Sequence, residues 1–155
     1  MQRLIRVRLG TVAAVIATSA IAVSAFAVPA DAVIPQTSCT NVTITTKGVG
    51  TLKNCNNAKQ TGGSGKLVVN TKKSPYTGTF TWNKTGTTTA ALTYAPGPKT
   101  SKACPKGTTE IDVAGKVTGG TGAALKGIPK GAKVAAKLCY KGTSLTLAPK
   151  TKFTL

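Results

Sequence analysis

The chain has 155 residues and a formal net charge of +18, with 21 lysines and arginines against three carboxylates and no histidine. The missing histidine removes the usual partner of a serine, threonine or cysteine nucleophile, and two or three scattered carboxylates are too few oxygen donors for a calcium site. Beyond residue 32, eighteen lysines face only Glu110 and Asp112, a formal +16 with no arginine. Lysine is a hydrated point charge, so this surface lacks the two-pronged geometry that reads phosphate or guanine. Sequence-specific nucleic-acid recognition is therefore disfavoured.

Arg3, Arg6 and Arg8 precede an apolar run from Leu9 to Val23 and then small residues. This is the layout of a helical secretory signal peptide. Cleavage fits after Ala27 or after Ala32, and the Pro29-containing spacer favours Ala32, giving a signal peptide at 1–32 and one domain at 33–155. The run is shorter than the ~20 residues of a spanning helix, so no transmembrane span is expected after processing.

Asn41 to Thr46 alternates, with Val42 and Ile44 on one face, and predicts a half-buried strand. Gly48 and Gly50 lead into a second strand ending at Cys55. Asn56 to Gly65 reads as a polar loop, Lys66 to Asn70 as a strand, and Lys72-Lys73-Ser74-Pro75 as a break. Gly78 to Tyr94 forms a complete hairpin. Phe80 and Trp82 share one face, Lys84-Thr85-Gly86 makes the turn, and Ala90, Leu92 and Tyr94 lie inward on the return arm. Trp82 is the sole tryptophan, worth roughly 2–3 kcal/mol when buried.

Lys99 to Gly107 reads as a basic surface crossing held by Cys104, and Thr109 to Thr118 as the longest strand. Ile111, Val113 and Val117 fall on its inner face, while Glu110, Asp112 and Lys116 fall on the outer one. Gly119 to Gly131 reads as a loop, Lys133 to Cys139 as a strand with Val134, Ala136 and Leu138 inward, and Leu145–Leu147 and Phe153–Leu155 as closing strands. About eight short strands, with no sustained 3.6-residue period, predict an all-β antiparallel sandwich or small barrel. Outward lysines and threonines would also protect sheet edges.

Cys39, Cys55, Cys104 and Cys139 contain no CxxC pair, and in an exported chain they point to disulfides. Three pairings are possible. Cys39–Cys55 with Cys104–Cys139 is favoured because each closes a local loop. Spacings of 16, 49 and 35 residues lack the short chelating loops of a four-cysteine zinc site, and no cofactor is indicated.

The segment Thr51-Leu52-Lys53-Asn54-Cys55, the hairpin with Thr81-Trp82-Asn83 and Gly86-Thr87-Thr88, and the run from Val117-Thr118-Gly119-Gly120 to Cys139 together resemble small secreted proteins of actinobacteria. The resemblance spans most of the mature chain. It implies an extracellular β-fold of a functionally uncharacterised group and supplies no active-site residues.

Glu110 and Asp112, two apart on one strand, would share the solvent face and pair with lysines such as Lys116 rather than act as an acid/base couple in a cleft. No Ser-x-x-Lys pattern surrounds Ser38, Ser64, Ser74 or Ser144, and the glycine runs 62–65 and 119–122 lack a phosphate-loop ending. Asn41-Val42-Thr43 and Asn83-Lys84-Thr85 match the glycosylation pattern, with no use expected in a bacterial chain. The expectation is not an enzyme. It is a non-catalytic secreted cationic protein, extracellular or at the cell surface, that binds anionic envelope polymers or other polyanions by counterion release. The densest lysine groups are Lys72 and Lys73; Lys99, Lys102 and Lys106; and Lys126, Lys130 and Lys133. The alternative is a structural or partner-binding envelope protein, or an inhibitor, whose charge serves solubility.

Overall fold

Alternation of apolar with threonine or lysine residues carries almost every strand. The computed structural model describes residues 36–155; the signal peptide and both cleavage points lie outside them. Nine strands form, β1 (Ser38–Thr45), β2 (Val49–Cys55), β3 (Ser64–Asn70), β4 (Tyr76–Trp82), β5 (Gly86–Pro96), β6 (Thr109–Gly120), β7 (Lys133–Lys141), β8 (Ser144–Leu147) and β9 (Phe153–Thr154), with helices α1 (Ala58–Thr61) and α2 (Gly122–Gly127). From β1 to β8 each strand pairs antiparallel with its neighbour in sequence, β1 also pairs with β8, and β9 pairs with β1 and β7. The sheet therefore closes on itself.

The result is an eight-stave up-and-down barrel, the second of the two expected all-β architectures and not the sandwich, and closure corrects the edge-protecting role expected of outward lysines. Two packed sheets would leave free edges, whereas closure removes them. Outward lysines are thus not edge guards. The eighth stave is shared. β8 bridges β1 and β7 near one end through Ile44–Leu145 and Tyr140–Leu145, while β9 fills the same gap near the other through Cys39–Phe153 and Ala135–Thr154.

Inward residues fill the barrel. Val42, Leu52, Leu67, Phe80, Trp82, Leu92, Val113, Val117, Val134, Leu138 and Phe153 are all buried. Phe80 stacks on Trp82 at 6.0 Å and tilts against Phe153 at 5.7 Å. The Trp82 indole N–H donates to Thr88 Oγ1 at 2.8 Å. Large inward side chains lie across glycines on the neighbouring strand. Gly65 opposes Trp82, and a Cβ there would stand 2.8 Å from the indole Cε3; Gly115 opposes Leu92, whose Cδ2 would be 3.0 Å away. Glycine gives those bulky groups room in a narrow barrel.

The two ends differ. Strand direction puts the β2–β3, β4–β5 and β6–β7 connections at one end, where α1 and α2 pack together beside the hairpin turn. Ala124 N–H donates to Thr85 O at 3.0 Å, and Ala124 and Ile128 are fully buried. Both helices occupy segments that read as loops in the sequence. Each spans under two turns, too few residues for a 3.6 period to register. The opposite end, formed by the 46–48, 71–75, 97–108 and 142–143 connections, carries no helix among the described residues.

Two disulfides lock this frame. Cys39–Cys55 joins β1 to β2 inside the core, and Cys104–Cys139 ties the 97–108 loop to the outer face of β7. Both are the favoured pairs. Asn54 adopts φ 53°, and two consecutive exposed residues on each strand, Thr40–Asn41 and Lys53–Asn54, turn Cys39 and Cys55 back inward.

Candidate functional site

The outer face of the wall is threonine- and lysine-rich. Outward Thr43, Thr51, Lys53, Lys66, Thr81 and Lys116 are exposed, the reverse of the apolar band a membrane-spanning barrel presents. Among the described residues no helix is long and apolar enough to cross a membrane.

Glu110 and Asp112 are outward on β6, but their partner is Lys137 and not Lys116. In an antiparallel pair the residue opposite Asp112 is Lys137 on β7, whereas Lys116 lies four residues, two repeats of the pleat, further along its own strand. The Lys137 ammonium donates to Glu110 Oε1 at 2.7 Å and to Asp112 Oδ1 at 3.0 Å. Glu110 is not on a solvent face either. The 97–108 loop folds over it, Ser101 donates to Oε2, and only 8% of the residue stays exposed. Hydrogen bonds from Lys137 and then Ser101 hold the Glu110 carboxyl below the usual carboxylate range, and hydrogen bonds to Glu110 and then Asp112 push Lys137 up. Ser101 reaches Glu110 only through the return path of the loop, a contact that no local sequence pattern marks. This triad is a clasp holding the loop beside its disulfide.

Lys137 uses both carboxylates, so the remaining lysines of residues 36–155 have no acidic side chain among the described residues to pair with. The three lysine groups singled out by density do not converge. Lys72 and Lys73 sit at the open end between β3 and β4. Lys99, Lys102 and Lys106 ride the loop clasped to the barrel flank, and Lys126, Lys130 and Lys133 lie at the plugged end.

What the fold does bring together is Lys53, Lys66 and Lys84. They surround a concavity of about 440 Å³ over β2, β3 and β4, with Thr51, Ser64 and Thr81 hydroxyls between them. Thr51 is opposite Lys66, which is opposite Thr81 in turn, so Lys53 is a diagonal neighbour of Lys66. Like charges at such positions repel, and no carboxylate lines the concavity. Sequence density missed this trio because its members are 13 and 18 residues apart. Strand register was the only signal that could have found it.

At the open end a second cavity of about 290 Å³ enters the barrel. Inward-facing Ile111, Tyr94, Tyr140 and Leu145 are only half-buried, whereas the next inward residues Val113, Leu92 and Leu138 are covered. Ile44 and Val69 complete its apolar lining. Tyr94 tilts against Tyr76 at 5.3 Å. Burial first, and then the Tyr76 charge, push its phenol up to about 12, so it stays a neutral donor at ordinary pH. Among the described residues, no cluster of three or more histidine, cysteine or carboxylate side chains could hold a metal.

These features define a closed antiparallel β-barrel with one plugged end, one open apolar end and a cationic outer wall. No protein-family model, curated protein or solved structure matches the chain.

Proposed function

We propose that this is a non-catalytic secreted cationic protein, extracellular or at the cell surface, that binds anionic envelope polymers or other polyanions through its lysines. The observation that carries this reading is the Lys53–Lys66–Lys84 concavity, where three unneutralised cations and three hydroxyls face one groove. An anionic chain laid there relieves the mutual repulsion of the lysines and gains hydroxyl hydrogen bonds, while the surrounding positive field adds counterion release. Two disulfides suit an oxidising compartment.

The test is retention of the oxidised protein on immobilised polyphosphate, DNA and purified envelope polymer across a salt series. Neutralising the groove (K53Q/K66Q/K84Q) is expected to lower retention more than K126Q/K130Q/K133Q, although both remove three charges. Equal losses would reduce the groove to bulk charge. Undiminished retention in both variants would reject lysine-mediated binding.

A further inference from the structure

The open-end cavity is chemically unlike the groove on the wall. Its floor and sides are Ile44, Val69, Ile111 and Leu145 with the rings of Tyr94 and Tyr140, and its volume of about 290 Å³ is about twice the ~150 Å³ that suffices for one benzene ring. Such an apolar recess in the mouth of a small barrel is a common ligand position. Among the described residues α1 and α2 pack at one end, and no helix covers the inward side chains at the other.

Charge at the rim is one-signed. Lys47 lies between lining residues Thr46 and Gly48, Lys72 follows lining residue Thr71, and Lys141 follows lining residue Tyr140. All three lysines are exposed, and no carboxylate lines the cup. Glu110 and Asp112, the acidic side chains nearest along the chain, point outward to Lys137.

We propose that the cup is a binding site for the acyl end of a small amphipathic anion, with the chain inserted between Ile111, Leu145 and Val69 and the anionic head met by Lys47, Lys72 and Lys141. The head-group half of this site rests on the anion-binding reading above; the apolar half does not. The shared chemistry is an acyl chain on an anionic head, available as a free fatty acid or as a phospholipid in a bilayer.

The experiment is calorimetric titration of the oxidised mature protein with hexanoate, octanoate and decanoate below their micellar concentrations, with 1-octanol as the uncharged comparison. A parallel arm measures co-sedimentation with phosphatidylglycerol vesicles. Burial of a short chain places half-saturation by octanoate at about 1 mM or below, and each added methylene tightens binding roughly fourfold until the cup is full. Ile111→Trp, at a half-buried position that tolerates bulk, fills the cup and is expected to weaken octanoate at least tenfold without altering the far-ultraviolet circular dichroism or polymer retention. Should it unfold, Leu145→Gln is the substitute. K47Q/K72Q/K141Q should erase the preference of octanoate over octanol while leaving octanol binding in place.

Chain-length-independent binding, or octanoate binding unchanged in both cup variants, would overturn the proposal. Saturable octanoate binding without vesicle binding assigns the free acid as the source, and vesicle binding abolished by the cup variants assigns the bilayer lipid. Octanoate binding alongside absent polymer retention would remove only the polymer reading. The converse pattern would remove only the cup.

Discussion

The same substitution at two positions in the hairpin is expected to act with opposite sign. Thr88 is fully buried and Trp82 2% exposed, and the indole N–H donates to Thr88 Oγ1 at 2.8 Å. Thr88→Val keeps shape and β-branching but strands a buried donor, which costs about 1–3 kcal/mol. For a domain of this size that lowers the melting temperature by roughly 4 °C per kcal/mol. The sole indole would also report its lost partner through its emission. Thr85 lies three residues earlier in the turn, and its Oγ1 is buried without a partner among the described residues. Thr85→Val removes an unsatisfied hydroxyl and is expected to be neutral or stabilising by up to about 1 kcal/mol.

A double-mutant cycle isolates the bond. In a Trp82→Phe background no donor remains to be stranded, so Thr88→Val should cost close to nothing there, giving a coupling of about 1–3 kcal/mol. Urea unfolding followed by far-ultraviolet circular dichroism serves all four proteins, since the signal does not depend on tryptophan. An equal cost of Thr88→Val in both backgrounds would refute the argument, and so would a Thr85→Val loss matching that of Thr88→Val.

Three further outcomes follow from the clasp, the second disulfide and the core. The folded pKa of Glu110 lies below its unfolded value, so its contribution is complete above the ordinary carboxylate range and lost as pH falls through the folded value. Glu110→Gln should flatten the decline of melting temperature between pH 5 and acid, read by a thermal series against the parent. Cys104→Ser with Cys139→Ser opens a bridge of sequence separation 35 and should cost about 4 kcal/mol on the chain-entropy estimate. Limited proteolysis should then cut within 97–108 first. Gly65→Ala places a Cβ 2.8 Å from the Trp82 ring and should destabilise by about 1–3 kcal/mol through overpacking, with an altered tryptophan emission; an unchanged midpoint and spectrum would show that the ring has room to move.

The sequence by itself determined which residues face inward. Period-2 alternation placed Val42, Ile44, Phe80, Trp82, Leu92, Val113 and Leu138 in the core, because a pleated strand leaves no other way to bury apolar side chains on one face. It also bounded the charge and indicated the cysteine pairs that close local loops. Closure was not legible, because it depends on β1 meeting β8 some hundred residues later, a pairing to which no local pattern contributes. For the same reason the sequence matched Glu110 and Asp112 to Lys116 on their own strand, whereas register supplies Lys137 from the next one. The lysine groove and the apolar cup are likewise products of tertiary structure. Lys53, Lys66 and Lys84 become neighbours only through cross-strand register, and Ile111, Tyr94, Tyr140 and Leu145 look like ordinary core residues until the plug takes one end of the barrel and leaves the other open.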